Sequence, residues 1–374
     1  MKLVLASGLV ASALSMYLFA RLHLGRGPAL VAAVVYAYLP YHLVDLYVRG
    51  AVAEFLAFVW LPLLLWSFHH LIVGAGQKRF YWAGLAAWLL AALVVTHSLS
   101  ALIFVPVLAV YVLILLIRER AWPAVKWIIL AAVLALVLSA FYWLPVVVEA
   151  QYVGLGHDAS QGYRDHLLPF SDLISLSPAY PHPDDPTVPR VFPLGLIQVV
   201  LVLAAISLLF FPKHRTWALL FFLLLALVSA LMLAAVSLPL WQAFEGALAF
   251  LQYPWRFQAL TALATAFLAG AVVGDWTRPS SWQRWALGAV LLLATGVWAL
   301  WRLPVEPLAP DLSVEAMWQM DRDYGQVGTT WTGEYLPVWV EEQRWALSHP
   351  VPDPVPGNES LPSGELKLTG VGYT

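Results

Sequence analysis

The chain contains no cysteine and few charged residues. Its 374 residues include 20 Lys or Arg and 22 Asp or Glu, a charged fraction of 11%, whereas soluble domains carry roughly 25%. Without cysteine there can be no disulfide, no thiolate metal site and no cysteine nucleophile. The formal net charge of −2 leaves no basic stripe to neutralise phosphates, which excludes an extended nucleic-acid interface.

What the chain has instead is apolar residues, at 61% of the sequence, together with 19 Trp and 15 Tyr. A spanning helix needs about 20 apolar residues, and aromatic residues near the ends of such runs are typical of the membrane interface. The sequence therefore predicts an all-α polytopic membrane protein of about ten transmembrane helices. The predicted spans are 3–20, 28–44, 54–73, 82–98, 99–117, 127–145, 193–211, 217–236, 257–274 and 285–302.

The first apolar stretch fits two interpretations. Lys2 followed by an apolar run with small residues near Ala13 is typical of a secretory signal peptide. The run stays apolar as far as Ala20, however, and then meets Arg21 and Arg26, as a spanning helix does when it is stopped by cytoplasmic cations. The spanning helix is the preferred interpretation.

The cations of the short loops predict the orientation, because Lys and Arg resist translocation. One set of alternate loops holds nearly all of them: Arg21, Arg26, Lys78, Arg79, Arg118, Arg120, Lys126, Lys213, Arg215, Arg278 and Arg284. These loops are predicted to face the cytoplasm. The longer segments 146–192 and 303–374 then lie outside a plasma (inner) membrane.

This topology predicts two regions. Residues 1–302 form a transmembrane domain with the outer loop 146–192, and residues 303–374 form an extracytoplasmic segment that resembles the start of a β-rich domain. The N-terminus would lie outside, although the chain opens with one Lys and no export signal. The strand-like alternation of residues 365–374 has no following partner. We therefore expect the sequence to be a fragment that lacks an upstream helix.

Four ionisable residues lie between the second and third spans, in residues 40–54 (PYHLVDLYVRGAVAE). In a helix, His42, Asp45 and Arg49 share one face, and Gly50 ends or bends that helix before Glu54. A charge in hydrocarbon costs at least ~2.5 kcal/mol, so these groups must pair or line a wet cavity. Two interpretations stay open, which are a structural Asp45–Arg49 salt bridge and a substrate site.

Three further ionisable residues are predicted at the same membrane level, namely His97, Glu149 and Arg256. Each alone has a structural explanation as a cap, a solvated acid or an arginine that reaches the headgroups. Arg49 and Arg256, however, are the Lys or Arg residues of the short outer loops, against the charge rule. Guanidinium groups suit phosphate oxygens, so we expect an anionic ligand, such as a phosphate or pyrophosphate, in an outward cavity shared by these residues.

No pattern in the sequence predicts a metal site or a cofactor. The His69-His70 pair lacks the i, i+4 spacing of a zinc helix, and Asp184-Asp185 lacks a calcium-loop pattern. The glycines Gly74 and Gly76 follow no strand and lack the spacing of a phosphate-binding loop.

Several short motifs resemble the bacterial membrane proteins labelled 6-pyruvoyl-tetrahydropterin synthase-related, from about residue 15 to the end. They are residues 37–42 (AYLPYH), 45–50 (DLYVRG) with Glu54, 96–97 (TH), 141–145 (FYWLP) with Glu149, 252–257 (QYPWRF) and 333–337 (GEYLP). The resemblance implies a place among membrane glycosyltransferases of the GT-C type. Such enzymes take sugars from polyprenyl-phosphate carriers at the outer face and usually carry a catalytic Asp or Glu in their first outer loop.

The resemblance implies a glycosyltransferase-like protein of envelope polysaccharide or glycoconjugate synthesis, with Asp45 and Glu54 as catalytic candidates. The substrate or phosphate site would comprise His42, Arg49, His97, Glu149 and Arg256. The resemblance implies one or two helices upstream of Met1, so we expect the usual catalytic first loop to lie outside this sequence. A non-catalytic assembly protein and a transporter of a lipid-linked or anionic substrate are therefore alternatives. Membrane lipid and a polyprenyl-phosphate-linked sugar are the expected partners.

Overall fold

The helices of the protein follow the apolar stretches of its sequence. The computed structural model describes residues 2–152, 163–174, 192, 194–212, 215–274, 288, 289 and 291. Within these residues the regular structure is helical, apart from one isolated β-bridge between Leu168 and Ala234. In the described part of the chain, six helices are long and apolar enough to cross a membrane. The prediction of an all-α, multi-pass membrane protein is confirmed at this level.

In chain order the helices are α1 (Lys2–Leu24), α2 (Arg26–Tyr38), α3 (Pro40–Tyr47), α4 (Val52–Val73), α5 (Lys78–Thr96), α6 (Ser98–Arg118), α7 (Val125–Leu138), α8 (Ala140–Glu149), α9 (Phe170–Leu173), α10 (Leu196–Leu208), α11 (Trp217–Leu231), α12 (Leu238–Ala243), α13 (Glu245–Leu248) and α14 (Gln258–Gly274). Short 3₁₀ helices precede α7 (Trp122–Ala124) and α14 (Pro254–Phe257).

The predicted count of ten spans remains a prediction. The first five predicted spans and the ninth correspond to the six long helices, and the sixth corresponds to the bent pair α7 and α8. The seventh and eighth correspond to α10 and α11, which have 13 and 15 residues and are short for a bilayer crossing. The tenth predicted span and the predicted β-rich segment lie essentially outside the described residues.

Single non-helical residues separate α2 from α3 and α7 from α8. Leu39, which precedes Pro40, is extended (φ −60°, ψ 140°), because proline disfavours the helical conformation of the residue before it. The helices α2 and α3 on either side still form one span, Arg26–Tyr47. The second interruption, at Ser139, bends α7 against α8 by 66°, and several apolar side chains of both helices are exposed, as suits contact with lipid.

The helix α14 lies at the centre of the transmembrane helices and packs against α2 and α11. Nearly all of its side chains are buried, and many are alanine, which lets neighbouring helix backbones approach closely. Gly270 is the tightest such position, since a Cβ atom there would lie 2.7 Å from the carbonyl oxygen of Pro28.

The chain divides into two compact units. The first comprises Met1–Val148 and Ala159–Val305, and it contains the long helices that the structure describes. The second comprises Glu149–Asp158 and Glu306–Thr374, and of it the structure describes residues 149–152. The predicted boundary near residue 302 remains a prediction.

Candidate functional site: a buried cluster of carboxylates and arginines

A tight turn joins α3 to α4 and carries three charged residues. Gly50 has a φ of +62°, a left-handed conformation that suits glycine. The amide of Ala51 donates to the carbonyl oxygen of Asp45 at 2.7 Å and closes the turn. Arg49 therefore follows α3, four residues after Asp45, and Glu54 lies in the first turn of α4.

The guanidinium group of Arg49 joins both carboxylates through one nitrogen atom. Its Nη1 donates to Asp45 Oδ1 at 2.5 Å and to Glu54 Oε2 at 2.8 Å. The side chains of Asp45 and Glu54 are 0% and 2% exposed, and that of Arg49 is 14% exposed. A charged pair so far from water costs several kcal/mol per ion unless its hydrogen bonds are nearly complete.

Tyr41 is a member of this cluster that the sequence did not predict. Its hydroxyl donates to Glu54 Oε1 at 2.6 Å and accepts from Arg49 Nη1 at 2.9 Å. Tyr41 lies one helical turn before Asp45, on the face that Asp45 occupies. That spacing was a usable signal, but a tyrosine near the end of an apolar run is also typical of the membrane interface.

The hydrogen bonds of the two carboxylates are not equivalent. Both oxygens of Glu54 accept a hydrogen bond, from Tyr41 and from Arg49. Asp45 accepts one at Oδ1, whereas its Oδ2 is buried and has no hydrogen-bond partner among the described residues. A buried acceptor without a partner is rare in native proteins, and a ligand is one of its explanations.

Arg256 lies in the same electrostatic cluster, in the 3₁₀ helix before α14. Its charge interacts with those of Asp45 and Glu54. The guanidinium donates to the carbonyl of Leu251 at 2.6 Å and to the side chain of Gln252 at 3.2 Å. It makes no ion pair within the described part of the chain, and its buried Nε has no acceptor there.

Two stacked aromatic rings lie against the two arginines. The rings of Tyr253 and Trp255 are 4.2 Å apart and nearly parallel, at 6°. The Cζ atom of Arg49 lies 5.8 Å from the ring centroid of Trp255, and that of Arg256 lies 5.6 Å from the ring centroid of Tyr253. Such cation–π contacts link the turn after α3 to the segment before α14.

The backbone of that segment is unusual at Gln252, which has a φ of +60°. Few non-glycine residues adopt this conformation, and those that do are enriched at functional sites. The segment is further held by the ring of His166, which meets Tyr253 and Trp255 edge-on at 5.1 Å and 4.9 Å. Arg256 is thus presented by a well-packed segment.

His97 belongs to the electrostatic surroundings of the cluster and also has a structural task. It lies between α5 and α6, where its Nδ1 accepts from the amide of Ser100 at 3.2 Å and caps α6. Burial lowers the pKa of His97, as do the charges of Arg256 and Arg49, whereas Glu54 opposes them. The capping bond requires an unprotonated Nδ1.

His42 lies on α3 but outside the hydrogen bonds of the cluster. Its ring is fully buried and stacks on Phe58 at 4.2 Å and on Phe55 at 4.6 Å. Neither ring nitrogen makes a hydrogen bond of good geometry to the described residues, although carbonyl groups of Tyr36 and Ala37 are close. The structure therefore shows His42 as a packed side chain, and its predicted ligand role remains a prediction.

Glu149 is exposed at the end of α8 and belongs to the second compact unit. Its predicted place in a shared cavity remains a prediction. Asp45, Glu54, Arg49, Arg256 and His97 are the predicted site residues that share electrostatic interactions. The predicted Asp45–Arg49 salt bridge is present and extends to Glu54, which leaves the structural and the ligand-binding interpretations both open.

A second cluster lies at the other end of α4. The hydroxyl of Tyr111 lies 3.2 Å from His23 Nε2 and 3.0 Å from His69 Nδ1. His70 stacks on Trp82 at 4.5 Å. Across the residues that the structure describes, no group of three His, Cys, Asp or Glu is arranged to hold a metal ion.

The chain matches the family model of the 6-pyruvoyl-tetrahydropterin synthase related domain, described as a membrane protein, over residues 1–303. The chain belongs to this family. Every residue of the carboxylate–arginine cluster lies within the matched residues. No curated protein and no solved structure matches the chain.

Proposed function

We propose that this protein is a GT-C-like membrane glycosyltransferase of envelope polysaccharide or glycoconjugate synthesis. It uses a sugar linked to polyprenyl phosphate at the outer face of the plasma membrane. The observation that supports this function best is the convergence of Asp45 and Glu54 with two arginines. Ionisable groups inside a membrane are expensive and usually mark a substrate or ion site.

The cluster supplies the groups that sugar transfer needs. The oxygen of an acceptor hydroxyl attacks C1 of the sugar, and its proton passes to the carboxylate of Asp45 or Glu54. The bond between C1 and the phosphate oxygen breaks, and the phosphate leaves with the electron pair. A guanidinium group stabilises the charge that develops on this phosphate.

The two arginines differ in their suitability as phosphate ligands. Arg49 already donates to two carboxylates, so a phosphate beside it would meet two negative charges. Arg256 donates to neutral groups and retains a buried Nε without an acceptor in the described part of the chain. Arg256 is therefore the better ligand, and Arg49 the residue that neutralises and positions the carboxylates.

The cations of the chain support an outer position for this site. Arg21, Lys78 and Arg118 lie near the end of α1, at the start of α5 and at the end of α6. These are the helix ends beside the His23–Tyr111–His69 contacts. The carboxylate–arginine cluster lies at the opposite end of α4, so cytoplasmic cations would place it on the outer side.

The function is tested by a transfer assay with the full chain in proteoliposomes that contain polyprenyl-phosphate-linked sugars. We expect sugar transfer, and a loss on the order of 10²- to 10⁴-fold in the Asp45→Asn, Glu54→Gln double variant. Glu245→Gln is the matched control, because Glu245 is a partly exposed carboxylate outside the cluster whose partners are Arg164 and Tyr163. Movement of the intact lipid-linked sugar between leaflets without transfer would instead identify a transporter.

The phosphate ligand is tested by binding of polyprenyl phosphate and of the matching polyprenol to the purified protein. Arg256→Ala should weaken binding of the phosphate form by roughly 2 to 5 kcal/mol, by analogy with truncated buried charge pairs. Binding of the polyprenol should be unchanged. Equal affinity of wild type and Arg256→Ala for the phosphate form would show that Arg256 only reaches the headgroup layer.

A further inference from the structure

The two carboxylates of the cluster differ in what they still offer to a ligand. Glu54 has a partner at each oxygen, with distances of 2.6 Å to Tyr41 and 2.8 Å to Arg49. Its carboxylate plane is thereby fixed from two directions by groups that are themselves largely buried. Each oxygen of Glu54 therefore has one of its lone pairs engaged, whereas an oxygen that accepts no hydrogen bond keeps both for a ligand.

Asp45 has the opposite arrangement. Arg49 holds Oδ1 at 2.5 Å, which fixes the side chain. Oδ2 is buried and accepts no hydrogen bond within the described residues. A buried oxygen without a partner costs stability, and the cost is greater when the group is charged, so the structure retains Oδ2 against that cost.

We propose that Asp45 is the carboxylate whose Oδ2 accepts a hydrogen bond from a hydroxyl group of the substrate. Glu54, which Tyr41 and Arg49 hold in place, is then a positioning residue. The ligand group must be a hydrogen-bond donor, because a carboxylate oxygen only accepts. This inference rests on the proposed function for the identity of that hydroxyl, which would be the acceptor hydroxyl of sugar transfer.

Tyr41 contributes to this difference between Asp45 and Glu54. Its hydroxyl donates to Glu54 and receives a hydrogen bond from Arg49, so it occupies a lone pair of Oε1 with which Glu54 could otherwise accept a substrate hydroxyl. Removing that hydroxyl leaves the ring and frees Oε1 of Glu54. Tyr41→Phe should therefore make Glu54 behave like Asp45.

A hydrophobic carbodiimide tests the different roles of Asp45 and Glu54 without any substrate. The proton of a carboxylic acid moves to a carbodiimide nitrogen and the carboxyl oxygen adds to its carbon, so the labelled peptide gains the mass of the reagent. In the full chain we expect several-fold more label at Asp45 than at Glu54. In Tyr41→Phe the label at Glu54 should rise several-fold. Label at Glu54 equal to or above that at Asp45 in the wild type would overturn the proposal.

Thermal unfolding in detergent gives a second measurement that does not depend on reagent access. Both Glu54→Gln and Asp45→Asn remove a negative charge that pairs with Arg49. Glu54→Gln also places an amide nitrogen where one of two hydrogen bonds is accepted, whereas in Asp45→Asn the amide nitrogen can take the position of Oδ2, which has no partner among the described residues. Glu54→Gln should therefore lower Tm by several degrees more than Asp45→Asn. Glu245→Gln is the partly exposed control and should leave Tm nearly unchanged. If neither carboxylate takes label, a loss of Tm in Asp45→Asn as large as that in Glu54→Gln overturns the proposal.

These outcomes separate the inference from the proposed function. Label confined to Asp45 in a protein that transfers no sugar would support the different roles of the two carboxylates and contradict the glycosyltransferase function. Sugar transfer that is lost in Glu54→Gln but retained in Asp45→Asn would support the enzyme and contradict the roles proposed for Asp45 and Glu54.

Discussion

The two ends of α4 carry two polar clusters of opposite character. Glu54 and His69 lie on this helix about 22 Å apart, at 1.5 Å per residue. At the Glu54 end two carboxylates pair with Arg49, Arg256 lies in their electrostatic surroundings, and Asp45 Oδ2 has no hydrogen-bond partner among the described residues. At the His69 end, His69 and His23 share the Tyr111 hydroxyl and both make aromatic contacts.

The difference separates packing from ligand binding. Polar side chains that satisfy one another at a helix end are an ordinary way to bury polar groups. Buried polar atoms without a described partner occur at both ends, since Trp66 Nε1 and Arg79 Nε lie near His70. What distinguishes the Glu54 end is charge: a buried carboxylate oxygen such as Asp45 Oδ2 is far more costly to leave unsatisfied than an indole nitrogen. The comparison therefore directs mutagenesis to the Glu54 end.

The largest expected effect concerns the side of the membrane on which each end lies. Because the chain has no Cys, single cysteines can be introduced directly. A Cys at Gln77, which is exposed just beyond the His69 end, should not react with an impermeant maleimide in intact cells. A Cys at Ser160, in the predicted outer loop and outside the described residues, should react. The reverse pattern would invert the topology.

Removing the central cation of the Glu54 end should have the next largest effect. Arg49→Ala leaves two buried carboxylates without their shared partner, so we expect a loss of stability of about 3 to 5 kcal/mol. Thermal unfolding of the purified protein measures it. Arg164→Ala, at an exposed ion pair of 3.5 Å, is the control and should change little. Equal effects of the two variants would remove the contrast between buried and exposed pairs.

The His69 end should respond more weakly to loss of its central group. Tyr111→Phe removes the hydroxyl shared by two histidines, which should cost about 0.5 to 1.5 kcal/mol and leave sugar transfer intact. A loss of transfer comparable to that of the Asp45→Asn, Glu54→Gln double variant would contradict the view that this cluster only packs.

The smallest expected effect is a pH dependence at His97. Its folded pKa is lowered, chiefly by burial, so the unfolded state binds the proton more readily. Its contribution to stability is then full above about pH 6.5 and declines as the pH falls below that value. His97→Asn keeps a side-chain cap for α6 and should flatten this decline. Tm should be measured from pH 5 to pH 7.5, a range chosen to bracket roughly 6.5. The same dependence of Tm on pH in wild type and in His97→Asn would show that His97 does not titrate in this range.

The sequence predicted much of this site because charge is so rare in the chain. Asp45, Arg49, Glu54 and Arg256 were apparent as ionisable residues near membrane-spanning segments, where an isolated charge is costly. Tyr41 and the Tyr253–Trp255 stack were not predicted, since aromatic residues near helix ends have a common interfacial explanation. The aromatic packing of His42 depends on the angle between α3 and α4, which spacing within one helix does not determine.

Gly270 has a consequence for the distant Arg256. The two residues lie on one continuous stretch of helix, about 21 Å apart at 1.5 Å per residue. With no side chain at Gly270, α14 seats directly against the backbone of α2 at Pro28, and α2 continues through the bend at Leu39 toward Asp45. A methyl group at this contact, as in Gly270→Ala, would push α14 and α2 apart. Because Arg256 and Asp45 lie near the other ends of these two helical segments, we expect the distance between them to change as well.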